Sequence, residues 1–206
     1  YADTFEHNLV QNLRYNMPKI LRQAVEQVTG GSTAFPRVVD MGCGTGLLGQ
    51  EFRPICGHLI GIDLAEKMIE LAGKKAIYDE LVHGDIVATL EQMPAGIDLL
   101  LAADVFVYVG ELHSLFQTIR CKAAPGALFV FSVEHLETGD YALRPSGRYA
   151  HSFEYIQALA DECKLSTILF ETSGLRLEKD GMIPGGVYVL RCGGDQDTCI
   201  IMPPSV

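Results

Sequence analysis

An excess of positive charge is missing from this 206-residue sequence: 16 Lys and Arg stand against 26 Asp and Glu, a formal net charge of −10. A field of that sign repels phosphate backbones, so no nucleic-acid partner is expected. No apolar run approaches the roughly 20 residues that a membrane helix needs, so no membrane span is expected. No signal peptide is visible either. None of the six cysteines, at positions 43, 56, 121, 163, 192 and 199, stands in a C-x-x-C pair, and most lie in apolar stretches. That argues against a zinc site or a disulfide framework and for a reduced, cytoplasmic protein with no metal. Internal repeats and low-complexity tracts are lacking. So is an initiator Met, since the sequence begins at Tyr1. The sequence leaves open whether it is a fragment, and any upstream module is out of view.

What is present is apolar: 48% of the residues are hydrophobic, enough to fill the core of one globular domain. Residues 8–28 repeat apolar positions at helical spacing, with Pro18 as a break or restart, and Gly30 and Gly31 end the segment. Strands are then expected at 37–41, 58–62, 81–83, 97–102 and 127–133. Helices are expected at 47–52, 65–73, 111–122 and 153–163, the last capped by Ser152. Two final strands, near 166–171 and 187–191, form a hairpin with Pro184-Gly185-Gly186 in its turn region. Unbroken apolar strands joined by helices predict a mostly parallel sheet covered on both faces. The fold expected is α/β: a Rossmann-like, seven-stranded, mostly parallel sheet with an antiparallel edge hairpin. Residues 1–35 form an N-terminal helical segment, 36–192 the core and 193–206 an irregular tail.

Between the first strand and the next helix lies Gly42-Cys43-Gly44-Thr45-Gly46. Glycines there permit unusual dihedrals and let a ligand approach the backbone. Residues 44–49 also fit the G-x-G-x-x-G dinucleotide fingerprint, and Asp63 ends the next strand where a ribose-binding carboxylate belongs. This pair alone does not separate a nicotinamide dinucleotide from S-adenosylmethionine. Asp40 discriminates: immediately before the loop, it would repel a pyrophosphate but suit a ligand carrying an ammonium and a sulfonium. Asp85, after the third strand, can accept from an adenine amine. The competing reading is that each Asp merely caps the following helix.

The stretch Val38-Val39-Asp40-Met41-Gly42-Cys43-Gly44-Thr45-Gly46 resembles the first motif of class I S-adenosylmethionine-dependent methyltransferases. Gly61-Ile62-Asp63-Leu64 through Ile69 resembles their second, His83-Gly84-Asp85-Ile86 their third, and Asp98 to Val105 their fourth. Pro125-Gly126-Ala127-Leu128-Phe129 resembles the turn before their fifth strand. The resemblance spans 36–133 and implies S-adenosylmethionine as cofactor, with a methyl group passed to an unidentified small-molecule acceptor. The alternatives are a non-catalytic S-adenosylmethionine-binding module and an NAD(P)-dependent oxidoreductase. A narrower resemblance, carried by residues 107–112, 131–134 and 146–152, is to bacterial methyltransferases with tetratricopeptide repeats ahead of the catalytic domain. It implies such a region upstream of this chain.

The resemblance implies these roles. Gly42, Cys43 and Gly44 approach the methionine part through backbone groups, and Asp40 orients its amino group. Asp63 holds the ribose hydroxyls. Leu64 and Met68 pack on the adenine or ribose, with ordinary core packing as their alternative. Asp85, with Ile86 beside it, faces the adenine amine, and Ala102 lies near the sulfonium. Arg14 meets the cofactor carboxylate if the N-terminal helix folds over the site. Cys43 is a small loop residue and not a nucleophile. The fourth strand ends in Ala-Ala-Asp, without the Asn/Asp-Pro-Pro-Tyr signature of many amino-group methyltransferases, which disfavours a base or a glutamine amide as acceptor. His151 is the candidate general base, with helix packing or capping as its alternative. His113 and His135 are weaker candidates, and Tyr15, Tyr108 and Tyr149 candidate pocket walls. Residues 134–151 are long for a connection, and their aromatic and cationic side chains suit a flat acceptor.

Overall fold

The computed structural model describes residues 16–31, 33–178 and 181–193. Arg14, Tyr15 and nearly all of the expected tail lie outside the described residues.

Helix α1 (Met17–Thr29) starts where Pro18 can sit in the first turn, where its missing N–H costs no helical bond. Pro18 therefore opens this helix and does not break it. After it come β1 (Phe35–Met41), α2 (Leu47–Phe52), β2 (Cys56–Asp63), α3 (Glu66–Lys74) and β3 (Glu80–His83). Then follow α4 (Ile86–Gln92), β4 (Ile97–Ala102), α5 (His113–Lys122) and β5 (Ala123–Leu136). The chain continues through β6 (Tyr141–Leu143), β7 (Tyr149–Ser152), α6 (Phe153–Glu162), β8 (Leu165–Glu178) and β9 (Gly181–Cys192).

The strands run β3-β2-β1-β4-β5, all parallel, with β9 antiparallel to β5 and β8 antiparallel to β9. The unbroken apolar runs of β4 and β5 reflect burial on both faces. Leu100, Ala102, Phe129 and Phe131 join the core under α4, α5 and α6. Leu99, Leu101, Leu128 and Val130 join the core under α1 and α2. This is the expected architecture with one enlargement: the sheet has nine strands among the described residues, not seven.

The two additional strands come from the segment expected to be an irregular loop. β6 and β7 pair as an antiparallel hairpin, and β7 runs parallel to the end of β5. Glu134 is partnered by Gly185 of β9 and by Ala150 of β7. A strand residue has one neighbour on each side, so β7 lies on the β4 side of β5, beyond the point where β4 stops at Ala102. The hairpin thus overhangs the C-terminal end of β4. The edge hairpin also differs in detail. Pro184 to Gly186 lie within β9, opposite Gly174 to Thr172, and so not in the turn region. Cys43, Cys56, Cys163 and Cys192 are free and buried, whereas Cys121 is disulfide-bonded, against the expectation of reduced thiols throughout.

Ser152 closes β7 and caps α6, its hydroxyl accepting from the Tyr155 amide at 3.1 Å. Ser152→Ala is expected to lower stability by about 1 kcal/mol, the usual value of such a cap, seen as an earlier urea midpoint with an unchanged slope.

Candidate active site at the switch point of the sheet

The order β3-β2-β1-β4-β5 reverses direction between β1 and β4. In open parallel sheets the crevice outside the carboxyl ends of such strands is where ligands bind. Asp40, the glycine loop, Asp63 and Ala102 all come from the carboxyl ends of β1, β2 and β4.

The loop is held on both sides. The Cys43 amide donates to the Ile62 carbonyl at 2.9 Å, and the Gly44 amide donates to Asp63 Oδ2 at 2.8 Å. Asp63 Oδ1 accepts from the Ala65 amide at 2.8 Å. Asp63 therefore ties the end of β2 to the loop, and each of its oxygens keeps a lone pair for a further donor. At Gly44 the backbone is left-handed, with φ +53°, and a Cβ there would meet nothing within 4 Å. That face of the loop is open space. Gly42 serves differently, since a Cβ on it would stand 2.5 Å from Val105, which follows β4. Cys43 is buried, and burial with the Asp40 and Asp63 charges pushes its thiol well above the usual range. A thiol so held is no nucleophile.

Asp40 is 0% exposed. Its Oδ2 accepts from the Tyr78 hydroxyl at 2.6 Å, and its Oδ1 has no hydrogen-bond partner. Burial raises its pKa from 3.8 to about 7; the Tyr78 hydroxyl and the Gly49 amide oppose that rise, and the Asp63 charge adds to it.

The other expected positions vary in setting. Leu64 is 71% exposed, a large apolar side chain left uncovered beside the loop. His83 Nε2 donates to the Leu64 carbonyl at 3.0 Å, which fixes the turn after β2. Met68 and Ile86 are half-buried. Asp85 is exposed and does cap a helix: its Oδ1 accepts from the Ala88 amide at the start of α4. Ala102 is buried in the core, so only its backbone is available at the strand end.

His151 lies in β7 and not in a loop, and it is 0% exposed. Its Nε2 lies 2.9 Å from the Gly110 carbonyl and must donate to it, which leaves Nδ1 unprotonated; that atom is buried without a partner. Burial lowers its pKa, so the ring is neutral at pH 7. Its ring packs near those of Tyr141 and Tyr155. The Leu112 amide donates to the Tyr155 hydroxyl at 2.9 Å, so β7 and α6 together fix the segment that follows β4. His135 is paired with His151 in register, while His113 meets Glu162 on the surface at 2.8 Å. The structure thus brings Asp40, the glycine loop and Asp63 together and sets His151 under the hairpin. Sequence reading missed Tyr78, Val105 and Gly110. No motif marks Tyr78, and the stretches that contain Val105 and Gly110 gave neither a role, because each matters through a contact between segments distant in sequence.

The chain matches the methyltransferase domain family over residues 38–126. It is 28% identical over 150 residues to a ubiquinone biosynthesis O-methyltransferase of Bordetella pertussis, a match covering 65% of this chain and 61% of the relative. The matched region thus spans about three-fifths of that curated relative. Among solved structures it is similar to an S-adenosylmethionine-dependent methyltransferase from Clostridium acetobutylicum, with a TM-score of 0.70 and 16% identity, covering 93% of this chain and 97% of that one. It is also similar to magnesium protoporphyrin IX methyltransferase from Synechocystis with S-adenosylmethionine bound, with a TM-score of 0.65 and 18% identity, covering 85% and 79%. The switch-point site and these likenesses agree: the chain has the class I S-adenosylmethionine-dependent methyltransferase fold, and residues 38–126 of it match a methyltransferase domain.

Proposed function

We propose that this chain is an S-adenosylmethionine-dependent methyltransferase acting on a small-molecule acceptor. The observation that carries this reading is the buried Asp40 carboxylate, with one oxygen lacking a donor, at the switch point beside the open face of the glycine loop. A buried acceptor of this kind calls for a cationic donor and would repel a pyrophosphate, which sets aside the dinucleotide alternative. The residues present fit the cofactor. Asp40 takes the methionyl ammonium, the backbone of Gly42, Cys43 and Gly44 borders the methionine part, and Asp63 holds the ribose hydroxyls. Leu64 and Met68 cover the adenine, with Asp85 and Ile86 at its edge, and the strand end at Ala102 faces the sulfonium. Arg14, outside the described residues, keeps its proposed place at the cofactor carboxylate.

The bound cofactor supplies a methyl group already activated by its sulfonium. The chain's own part is to hold an acceptor atom in line and exclude water. The overhanging hairpin supports an acceptor with an apolar, flat body. Tyr108 is 69% exposed, the Arg148 guanidinium lies 5.9 Å from its ring centre, and Tyr141 and Leu143 are exposed on the hairpin. The Bordetella relative is named for O-methylation, which favours an oxygen acceptor. His151 Nδ1 is then the candidate base for the hydroxyl proton. The net charge of −10 disfavours nucleic acid. Among the described residues no helix is long and apolar enough to cross a membrane. An upstream tetratricopeptide region completes the reading; the Cys121 disulfide removes the reduced-thiol argument for a cytoplasmic setting.

Calorimetry with S-adenosylmethionine and with a nicotinamide dinucleotide tests the cofactor, and a labelled-methyl screen of a cell extract tests the acceptor. Asp63→Ala is expected to weaken S-adenosylmethionine about ten-fold to a hundred-fold through lost charge-assisted hydrogen bonds. Wild-type affinity in that variant would refute the ribose assignment, and tighter dinucleotide binding would overturn the reading.

A further inference from the structure

We infer that Tyr78 is a positioning residue for the cofactor: its hydroxyl holds one oxygen of Asp40 so that the other stays free for the incoming ammonium. This rests on the reading of the site as an S-adenosylmethionine cleft. Tyr78 belongs to none of the motifs and lies in the connection between α3 and β3, yet it reaches the end of β1. The space for it is set aside by glycines. A Cβ on Gly49 would stand 2.2 Å from the Tyr78 hydroxyl oxygen, and one on Gly61 would stand 2.9 Å from its ring and 2.8 Å from the Leu81 side chain. Gly49 lies on α2 and Gly61 on β2, so two separate elements omit a side chain where this one ring passes.

The bond itself has the form of a fixed setting. At 2.6 Å it has the length of a hydroxyl donating to a carboxylate. Burial and the Asp40 charge push the Tyr78 pKa far up, so the hydroxyl keeps its proton throughout the working range and always donates. The other groups facing Asp40 are the Gly49 amide from α2, the Asp63 carboxylate from the end of β2, and the thiols of Cys43 and Cys56. Both thiols are held neutral by burial, so none of these groups is a cation. The Lys75 stem, from the end of α3, packs beside Gly46, 3.6 Å from where a Cβ would stand. Asp40 Oδ1 remains without a donor, shielded from water. With Tyr78 supporting the charged form, the carboxylate becomes available near neutrality. Without that hydroxyl the proton would stay on to a higher pH.

The test is Tyr78→Phe, which keeps the ring in its slot and removes the hydroxyl alone. Wild-type affinity for S-adenosylmethionine, measured by calorimetry on the acid side of pH 7, is expected to rise about ten-fold per pH unit and level off near the Asp40 midpoint. In Tyr78→Phe the rise should move about one pH unit upward, which weakens binding about ten-fold on the acid limb and less above it. Proton release on binding, compared in two buffers of different ionisation enthalpy, should shift in step. An equal loss at every pH, with the midpoint unmoved, would make the ring a mere space-filler and overturn the inference, as would unchanged binding. Carboxyl NMR of the ligand-free protein keeps the two readings apart. If wild type binds no S-adenosylmethionine, the cofactor reading fails, while an upward-shifted Asp40 titration in Tyr78→Phe would still establish the hydrogen bond's control of that carboxylate, and an unshifted one would refute it.

Discussion

Asp40→Asn is expected to make the folded chain more stable above neutral pH and to abolish S-adenosylmethionine binding. The wild-type carboxyl is buried, and its pKa rises from 3.8 to about 7 on folding. A raised acid pKa destabilises the fold as pH climbs. Below about pH 4 both states hold the proton and there is no penalty. Between the two values the unfolded chain releases its proton and the folded one does not, so stability falls. Above pH 7 the full penalty is present, on the order of 4 kcal/mol at 1.36 kcal/mol per unit. Asn is neutral at every pH and nearly the same shape, and it can still accept from Tyr78. Its amide adds a buried donor whose lack of a partner costs about 1–3 kcal/mol. The net gain is therefore about 1–3 kcal/mol above pH 7. The difference shrinks on acidification and reverses below about pH 5, where protonated Asp40 is the better-matched group. Urea midpoints at acid and alkaline pH measure this directly, and a variant less stable than wild type at both would show that Asp40 is not strained by burial. Binding is expected to fall at least a hundred-fold, because the cofactor's ammonium loses its charged partner.

That carboxylate also shows what sequence alone made legible. Asp40, the glycine loop and Asp63 are contiguous with strand ends, so position along the chain was enough to bring them together. β4 was read to its limits, and β1, β2 and β5 were found with shorter ends, because runs such as Leu99 to Ala102 must be apolar when both faces are covered. α4 was passed over: it is seven residues long, and its start was read as the third motif's Asp85, which turns out to cap it. β6 and β7 were missed for a different reason. They are three and four residues long, with no apolar alternation beyond a few residues, and only their pairing with each other and of β7 with β5 makes them strands. Tyr78 left no local trace at all. Its signal is distributed over Gly49 and Gly61, whose emptiness becomes meaningful once the ring that fills it is seen.

His151→Ala is expected to lower turnover by about 10²–10⁴ while leaving cofactor affinity near wild type. Affinity is spared because the glycine loop is bordered by residues such as Asp63, Lys75, Tyr78 and Val105, whereas His151 sits on β7 of the hairpin. Turnover suffers because the imidazole does two things at once. Its Nε2–H holds the Gly110 carbonyl, and so the segment that follows β4; its Nδ1 keeps an unshared pair. A neutral ring of lowered pKa has that pair available at pH 7, as a base requires. The same burial implies a stability cost of about 2–4 kcal/mol on truncation, since a core-sized cavity opens and the Gly110 carbonyl loses its donor. His151→Asn divides the two roles. Its amide can still donate to Gly110, but it has no basic nitrogen. If His151 is the base, His151→Asn recovers stability and stays as slow as His151→Ala, and the wild-type acid limb in turnover against pH disappears in both. Recovery of turnover in His151→Asn would remove His151 from the chemistry and leave it as the anchor of the segment after β4. Loss of cofactor affinity in His151→Ala would instead mean that the hairpin braces the cofactor cleft itself, through the segment after β4 that sets Val105 against Gly42.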